Sequence, residues 1–137
     1  MKKQFSTAWK GSRQVRKQRK YVAKAPKHIR QKLVSSHLSK DLRKKYGRRA
    51  FQLRKNDVVK IMNGEYKGKT GKVNIIDINR FLVCIEGIQV TKKDGSKVNA
   101  KFHPSNLMIT ELNLEDKKRA YSIKKENKIK TENKEKN

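Results

Sequence analysis

The sequence is poor in three things, and each scarcity closes a class of function. Cysteine occurs once, as Cys84 in the apolar run "FLVCI". Neither a disulfide framework nor a thiolate metal cluster can be built from it, and the residue reads as a small buried hydrophobe. Acidic side chains number only 12 in 137 residues. Carboxylates are therefore scarce for acid–base work, and no Ser, Cys or Lys has a base and an orienting acid placed to activate it. The histidines His28, His37 and His103 lie far apart with no Cys or acid at ligand spacing, so neither a metal nor another cofactor is expected. Apolar runs are also short. None approaches the length needed to cross a bilayer, and "MKKQFSTAWKGSR" shows no apolar core followed by a cleavage site, so the expectation is an intracellular chain with no membrane partner. Catalysis, small-molecule substrates and homo-oligomers are not expected.

What the chain has in excess is positive charge. Its 38 Lys and Arg give a net charge of +26 and a pI near 10.5. Like charge at that density opposes compaction unless a polyanion neutralises it, and nucleic acid is the polyanion to expect. The excess is unevenly spread. Residues 1–55 carry 20 Lys/Arg against the single acid Asp41, residues 56–112 carry 9 against 6, and residues 113–137 carry 9 against 5. Charge and composition together divide the chain into a basic arm (1–50), a folded domain (51–112) and a charged tail (113–137).

The middle reads as β. Short runs rich in β-branched residues, at 57–62, 71–78, 80–86, 88–93, 97–102 and 107–112, are separated by turn residues with no helical pattern between them. Asp94-Gly95 reads as a two-residue hairpin turn. Such a series predicts a small antiparallel barrel, with Val59, Ile61, Val73, Ile75, Leu82, Cys84, Val90 and Leu107 facing inward.

The arm differs. "APKHIRQKLV" places Pro26 as a first helical residue, and "LSKDLRKKYG" runs from a Ser39 cap to Gly47. Both helices are short and basic. "SRQVRKQRK" shows no apolar periodicity, so it is expected to order only on a folded RNA. Trp9 could stack on a base or merely pin the arm. The final "KKENKIKTENKEKN" is a low-complexity stretch that reads as solvated.

The stretch "NGEYKGKTGKV" (63–73) contains a "GKT" that invites a nucleotide-binding reading. The phosphate loop G-x-x-x-x-G-K-[ST] needs a glycine five positions before Gly68, and that position is Asn63. A β-branched run also follows Thr70 where a helix should begin. The nucleotide reading fails, which leaves three glycines and three lysines in eleven residues to explain.

"DVVKIMNGEYKGKTGKVNII" resembles the KOW motif. The stretch before it, "SRQVRKQRKYVAKAPKHIRQKLVSSHLSKDLRKKYGRRAFQLRKND", resembles the arm that precedes that motif in the large-subunit ribosomal protein family numbered twenty-four in bacteria and twenty-six in eukaryotes, in its archaeal and eukaryotic branch. The resemblance covers residues 12 to 112 and weakens at both ends. It implies a mainly β protein built on an SH3-like barrel, with an extended basic N-terminal arm carrying short helices and a charged tail. It further implies a structural constituent of the large ribosomal subunit that binds the 5′ region of the large-subunit RNA, enters assembly early and sits near the polypeptide exit. Neighbouring ribosomal proteins would be its other partners. It would work in the cytoplasm, with nucleolar assembly if the source is eukaryotic.

Under that reading Arg13, Arg16, Lys17, Arg19, Lys20, Lys27, His28, Arg30, Lys32, Lys44, Lys45, Arg48 and Arg49 grip RNA from the arm. Gly64, Gly68 and Gly71 let the loop backbone lie close to RNA while Lys67, Lys69 and Lys72 meet phosphates, although turn geometry alone also accounts for the glycines. Tyr66 either stacks on a base or ribose or packs on the barrel edge. His103 and Ser105 in "HPSN" form a turn into the last strand that also reaches RNA. Two other readings compete. A KOW-containing transcription or RNA-processing factor shares the loop but would bring further domains, and a histone-like DNA compactor shares the charge but has no need of the loop.

Overall fold

The computed structural model describes residues 5–9, 11–121 and 123. Its strands are β1 (Ser35–Leu38), β2 (Ala50–Gln52), β3 (Val58–Ile61), β4 (Thr70–Asp77), β5 (Leu82–Thr91), β6 (Lys97–Phe102) and β7 (Leu107–Glu111). They form one sheet in the order β2-β1-β7-β3-β4-β5-β6. Phe51 on β2 and Ala100 on β6, from the two ends of that order, share one core cluster with Val59, Ile61, Val73, Val83, Ile85, Leu107 and Ile109. A flat sheet cannot bring its two edges to a common core, so the sheet curls into a small barrel. Register breaks at Val58/Val59, Val73/Ile75 and Cys84/Gln89 supply the local bends that curling needs.

One pairing is parallel. His37 and Leu38 on β1 lie beside Met108 and Ile109 on β7, while the other edge of β1 pairs antiparallel with β2. The segment grouped with the arm on charge thus contributes an internal strand. Val34 and Leu38 are fully buried there, and the Ser36 hydroxyl donates to the Pro104 carbonyl. "SSHL" carries too little β-branched character to announce a strand; its place is set by tertiary pairing.

The remaining strands follow the sequence with three differences. The runs 80–86 and 88–93 are one strand, β5, which continues through Gly87 at φ +76 in the interval where pairing with β6 is interrupted. The β5–β6 connection is not a two-residue turn. Lys92 N–H donates to the Ser96 carbonyl at 2.9 Å, leaving Lys93, Asp94 and Gly95 as a three-residue loop with only Gly95 at positive φ. Of the residues expected inside, Val59, Ile61, Val73, Cys84 and Leu107 are buried, but Ile75 and Val90 are 52% and 45% exposed and Leu82 is half-buried. Each exception lies on β4 or β5 beside a register break, and a one-residue shift turns a side chain to the opposite face. Val83, Ile85 and Ile88 fill the interior instead.

Among the described residues, after a 3-10 turn at Thr7–Trp9, the arm carries three α-helices: α1 (Val15–Lys24), α2 (Lys27–Leu33) and α3 (Lys40–Tyr46). The last is capped as its sequence suggests. Ser39 Oγ accepts from Leu42 N–H at 3.3 Å, and Gly47, at φ +59, closes the other end by donating to the Arg43 carbonyl at 2.8 Å. Pro26 is the residue before α2 rather than its first residue. Helix α1 forms where the sequence was read as ordering only on RNA. Its C-terminal end is held by Arg30 from α2, whose guanidinium donates to the carbonyls of Ala23 and Ala25, the latter at 2.9 Å. No side chain of α1 is buried.

The segment after β7 returns to the barrel. Residues 117–121 are helical, Ile123 joins the core cluster, and Arg119 reaches Asp57 in the interior. Asp57 Oδ1 accepts from Arg119 Nη1 at 2.6 Å and from Asn113 N–H at 2.9 Å; Oδ2 accepts from Arg119 Nη2 at 2.9 Å and from Arg54 N–H at 2.8 Å. Arg119 also donates to the carbonyls of Asn113 and Gln52 and lies 5.3 Å from the Phe51 ring centre. The low-complexity stretch 124–137 and the Trp9 side chain lie outside the described residues.

Candidate nucleic-acid interface

The loop of the KOW-like stretch connects β3 to β4. Lys67 N–H donates to the Gly64 carbonyl at 3.1 Å, and Gly68 N–H donates to the Ile61 carbonyl at 2.8 Å. Gly64 and Gly68 have φ of +93 and +89, and an added Cβ at either would meet nothing within 4 Å. Their need for glycine is conformational, and the space beyond them is open. Gly71 differs. It lies within β4, where a Cβ would come to 2.6 Å from Ile85 Cγ2 and 3.0 Å from the Glu86 carbonyl. Its missing side chain lets β4 and β5 approach, a demand from inside the barrel.

Lys67, Lys69 and Lys72 are exposed around this loop. Tyr66 between them packs on the barrel edge. Its ring meets Phe102 edge-on at 5.9 Å, its hydroxyl reaches the Gln89 carbonyl at 3.4 Å, and Lys69 Nζ lies 5.0 Å from its ring centre. The "HPSN" turn adjoins the loop, because the Asn106 carbonyl accepts the Met62 N–H at 2.8 Å. Within the turn, His103 Nδ1 and Ser105 Oγ are 2.8 Å apart, and the same ring nitrogen accepts from Ser105 N–H. His103 and Ser105 therefore shape each other, with both residues exposed.

The arm's cations stand elsewhere. Arg13 and the α1 residues Arg16, Lys17, Arg19 and Lys20 are exposed, as are Lys27, His28 and Lys32 of α2. Arg30 is half-buried in its carbonyl bonds, with Nη1 also 3.5 Å from Asn79 Oδ1 in the β4–β5 turn. Helix α1 is thus anchored at the far end of β4 from the β3–β4 loop. Eight residues of strand separate the two, roughly 25 Å at the rise of an extended chain. Lys44, Lys45 and Arg49 are exposed around α3. Lys45 Nζ lies 5.5 Å from the Tyr46 ring centre, and Arg48 Cζ lies 5.1 Å from that of Phe51. Burial of His37 on β1, with Arg43 and Arg49 nearby, lowers its pKa below the usual histidine value. Such a surface offers many cations at several separate points, which is how a phosphate backbone is held. Among the described residues no three His, Cys, Asp or Glu side chains gather as a metal site, and no helix is long and apolar enough to cross a membrane.

Sequence reading passed over Arg119, Asp57, Asn79 and Phe81. An aspartate before a strand and an arginine in a charged tail give no local sign of partnership. Asn79 and Phe81 read only as turn and strand residues.

The family model that describes ribosomal protein L26 of eukaryotes together with its archaeal counterpart, numbered twenty-four, matches residues 12–126. The chain belongs to this family. The match takes in the arm from just before Arg13 and the whole sheet, as the resemblance of the arm and the KOW stretch led us to expect, and runs on past residue 112, where that resemblance ended, through the docked segment around Arg119. Among curated relatives, the large ribosomal subunit protein uL24 of Methanosarcina barkeri is 46% identical over 114 residues, covering 83% of this chain and 98% of its own. The protein of the same name from Methanosphaera stadtmanae is 43% identical over 112 residues, covering 82% and 96%. That from Methanocella arvoryzae is 46% identical over 114 residues, covering 83% and 92%.

Proposed function

We propose that this chain is a structural, non-catalytic constituent of the large ribosomal subunit, held there by ribosomal RNA and neighbouring ribosomal proteins. Membership of the family over nearly the full length of its relatives carries this reading. The distribution of charge supports it: residues 1–55 have 20 Lys/Arg to one acid, ahead of a barrel close to neutral. The barrel end formed by the β3–β4 loop and the 103–106 turn is the shape-fitted seat on RNA, where Lys67, Lys69 and Lys72 contact phosphate and Tyr66 fixes the loop. The arm, with Arg13, Arg16, Lys17, Arg19, Lys20, Lys27, His28 and Lys32, is an extended grip, and Lys44, Lys45, Arg48 and Arg49 extend it around α3. Arg30 serves this grip by holding α1 in place.

The RNA is the 5′ region of the large-subunit RNA, bound early in assembly at a place near the polypeptide exit. The site of action is the cytoplasmic ribosome, with assembly starting in the nucleolus if the source is eukaryotic. Sedimentation tests the reading. A constituent stays with large subunits through a high-salt wash, whereas a transcription factor follows polymerase and a compactor follows DNA; release from subunits at high salt sinks the proposal. Salt titration separates the two contact regions. Each neutralised phosphate contributes roughly −0.7 to −0.9 to the log–log slope of affinity against salt. Deleting residues 1–24 spares Val34 and β1 and should flatten the slope by several units. Replacing Lys67, Lys69 and Lys72 by Ala should change it by at most about three while abolishing preference for the 5′ RNA over unrelated RNA.

A further inference from the structure

We infer that the cleft between α1 and the β4–β5 turn receives one unstacked base of the bound RNA, with the Phe81 ring as its stacking platform. The inference rests on the RNA-binding reading above and adds a specific ligand and a specific residue to it. The cleft has a volume of about 420 Å³, and its walls include Gln18, Arg19, Val22, Arg30, Asn79 and Phe81. These side chains supply three kinds of surface. Val22 and Phe81 are apolar, Gln18 and Asn79 carry amides, and Arg19 and Arg30 are cations; among the described residues no carboxylate lines the space. A nucleobase on its backbone asks for this combination: an aromatic face for its ring, amides for its polar edge and cations for its phosphate.

The backbone at Phe81 gives the cleft its floor. Phe81 has φ +57, in the left-handed region that a bulky residue adopts only where its surroundings impose it. The turn that leads into it is held by Asp77, whose Oδ1 accepts from Asn79 N–H at 3.0 Å and Arg80 N–H at 3.1 Å. Glycine or asparagine would occupy this position with less strain, yet it carries an aromatic ring. Part of that ring packs on the core cluster and part faces the cleft. The opposite wall is fixed as well. Arg30 ties α1 to Asn79, and the Gln18 amide donates to the Ser12 carbonyl at 2.8 Å.

The test uses the full chain bound to a transcript of the 5′ region of large-subunit RNA, irradiated with short-wave ultraviolet light and digested for mass spectrometry. A nucleotide adduct is expected on Phe81. Phe81→Gly, which suits the backbone, should lose the adduct and weaken binding about tenfold, the scale of one lost base–aromatic stack. Phe81→Tyr should keep both. Phe81→Leu retains apolar bulk for the core but offers no π face, so it should bind as weakly as Phe81→Gly while melting close to the parent. Adducts elsewhere on the chain but none at Phe81, or parental affinity in Phe81→Leu, overturn the base-binding cleft and leave the RNA-binding reading standing. Absence of binding to the transcript and of any adduct overturns both.

Discussion

Arg119 and Asp57 meet as a two-pronged ion pair in the barrel interior, with side chains 2% and 0% exposed. Each carboxylate oxygen accepts one guanidinium nitrogen and one backbone N–H, so the cost of burying the carboxylate is offset by hydrogen bonds to both of its oxygens. Removing one partner leaves the other charge buried alone. Arg119→Ala should therefore destabilise the barrel by about 3–5 kcal/mol in urea unfolding. Arg119→Lys should recover only part of that, because a single ammonium cannot span both oxygens. Truncation after Leu112 should resemble Arg119→Ala. An unchanged unfolding midpoint in the truncated protein would show that the returning segment does not contribute to stability.

The glycines of the KOW-like stretch should separate by mechanism. Gly71→Ala forces a methyl against Ile85 and the Glu86 carbonyl and should cost about 1–3 kcal/mol through strain between β4 and β5. Gly68→Ala meets open space and should cost about 1 kcal/mol for the left-handed backbone alone. Amide exchange locates the difference: Gly71→Ala should speed exchange along β4 and β5, and Gly68→Ala only within the loop. The same pattern from both would remove the distinction.

His37 should make the free protein acid-sensitive. Its folded pKa lies below the ordinary histidine value of 6.5, through burial first and then through Arg43 and Arg49. The folded state thus binds a proton less readily than the unfolded chain, so the contribution is fully present above pH 6.5 and is lost as pH falls from there through the lowered folded value. His37→Gln should flatten the pH dependence of the melting temperature across that window. An unaltered profile would assign the acid sensitivity to other groups.

Helix α1 should be only weakly protected in free protein. It buries no side chain, and Gln14 at its start makes no side-chain capping bond, so its ten residues depend on a few contacts, chiefly the Arg30 anchor and the Tyr21 ring beside Phe5. Amides of α1 should exchange far faster than those of β3 or β7, and slow markedly when RNA binds. Arg30→Ala should speed α1 exchange further without lowering the melting temperature of the barrel. Barrel-like protection of α1 in the free state would count against this.

The parts of the fold legible in the sequence were those coded locally. Ser39 and Gly47 marked both ends of α3, and β-branched runs marked β3, β4, β6 and β7. Faces were lost where bulges intervene: Ile75 and Val90 follow register breaks that leave no trace in a period of two. β1 was invisible because "SSHL" owes its strand conformation to a distant partner. The candidate interface divides in the same way. Clustered lysines and arginines announce themselves by composition, yet Arg30 was indistinguishable from its neighbours until its guanidinium was seen on the carbonyls of Ala23 and Ala25. Phe81 needed a backbone angle to stand out.

The parallel seam between β1 and β7 has a consequence for synthesis. β1 belongs to the first third of the chain, and its partners Met108 and Ile109 emerge from the ribosome long after it. No earlier strand can satisfy that edge, so the barrel cannot close until β7 is made. During this interval the most cationic part of the molecule is already outside, attached to an unfinished domain. Polyanions can therefore meet the arm before the barrel that positions it exists, and nearly complete chains present an unpaired strand edge open to aggregation.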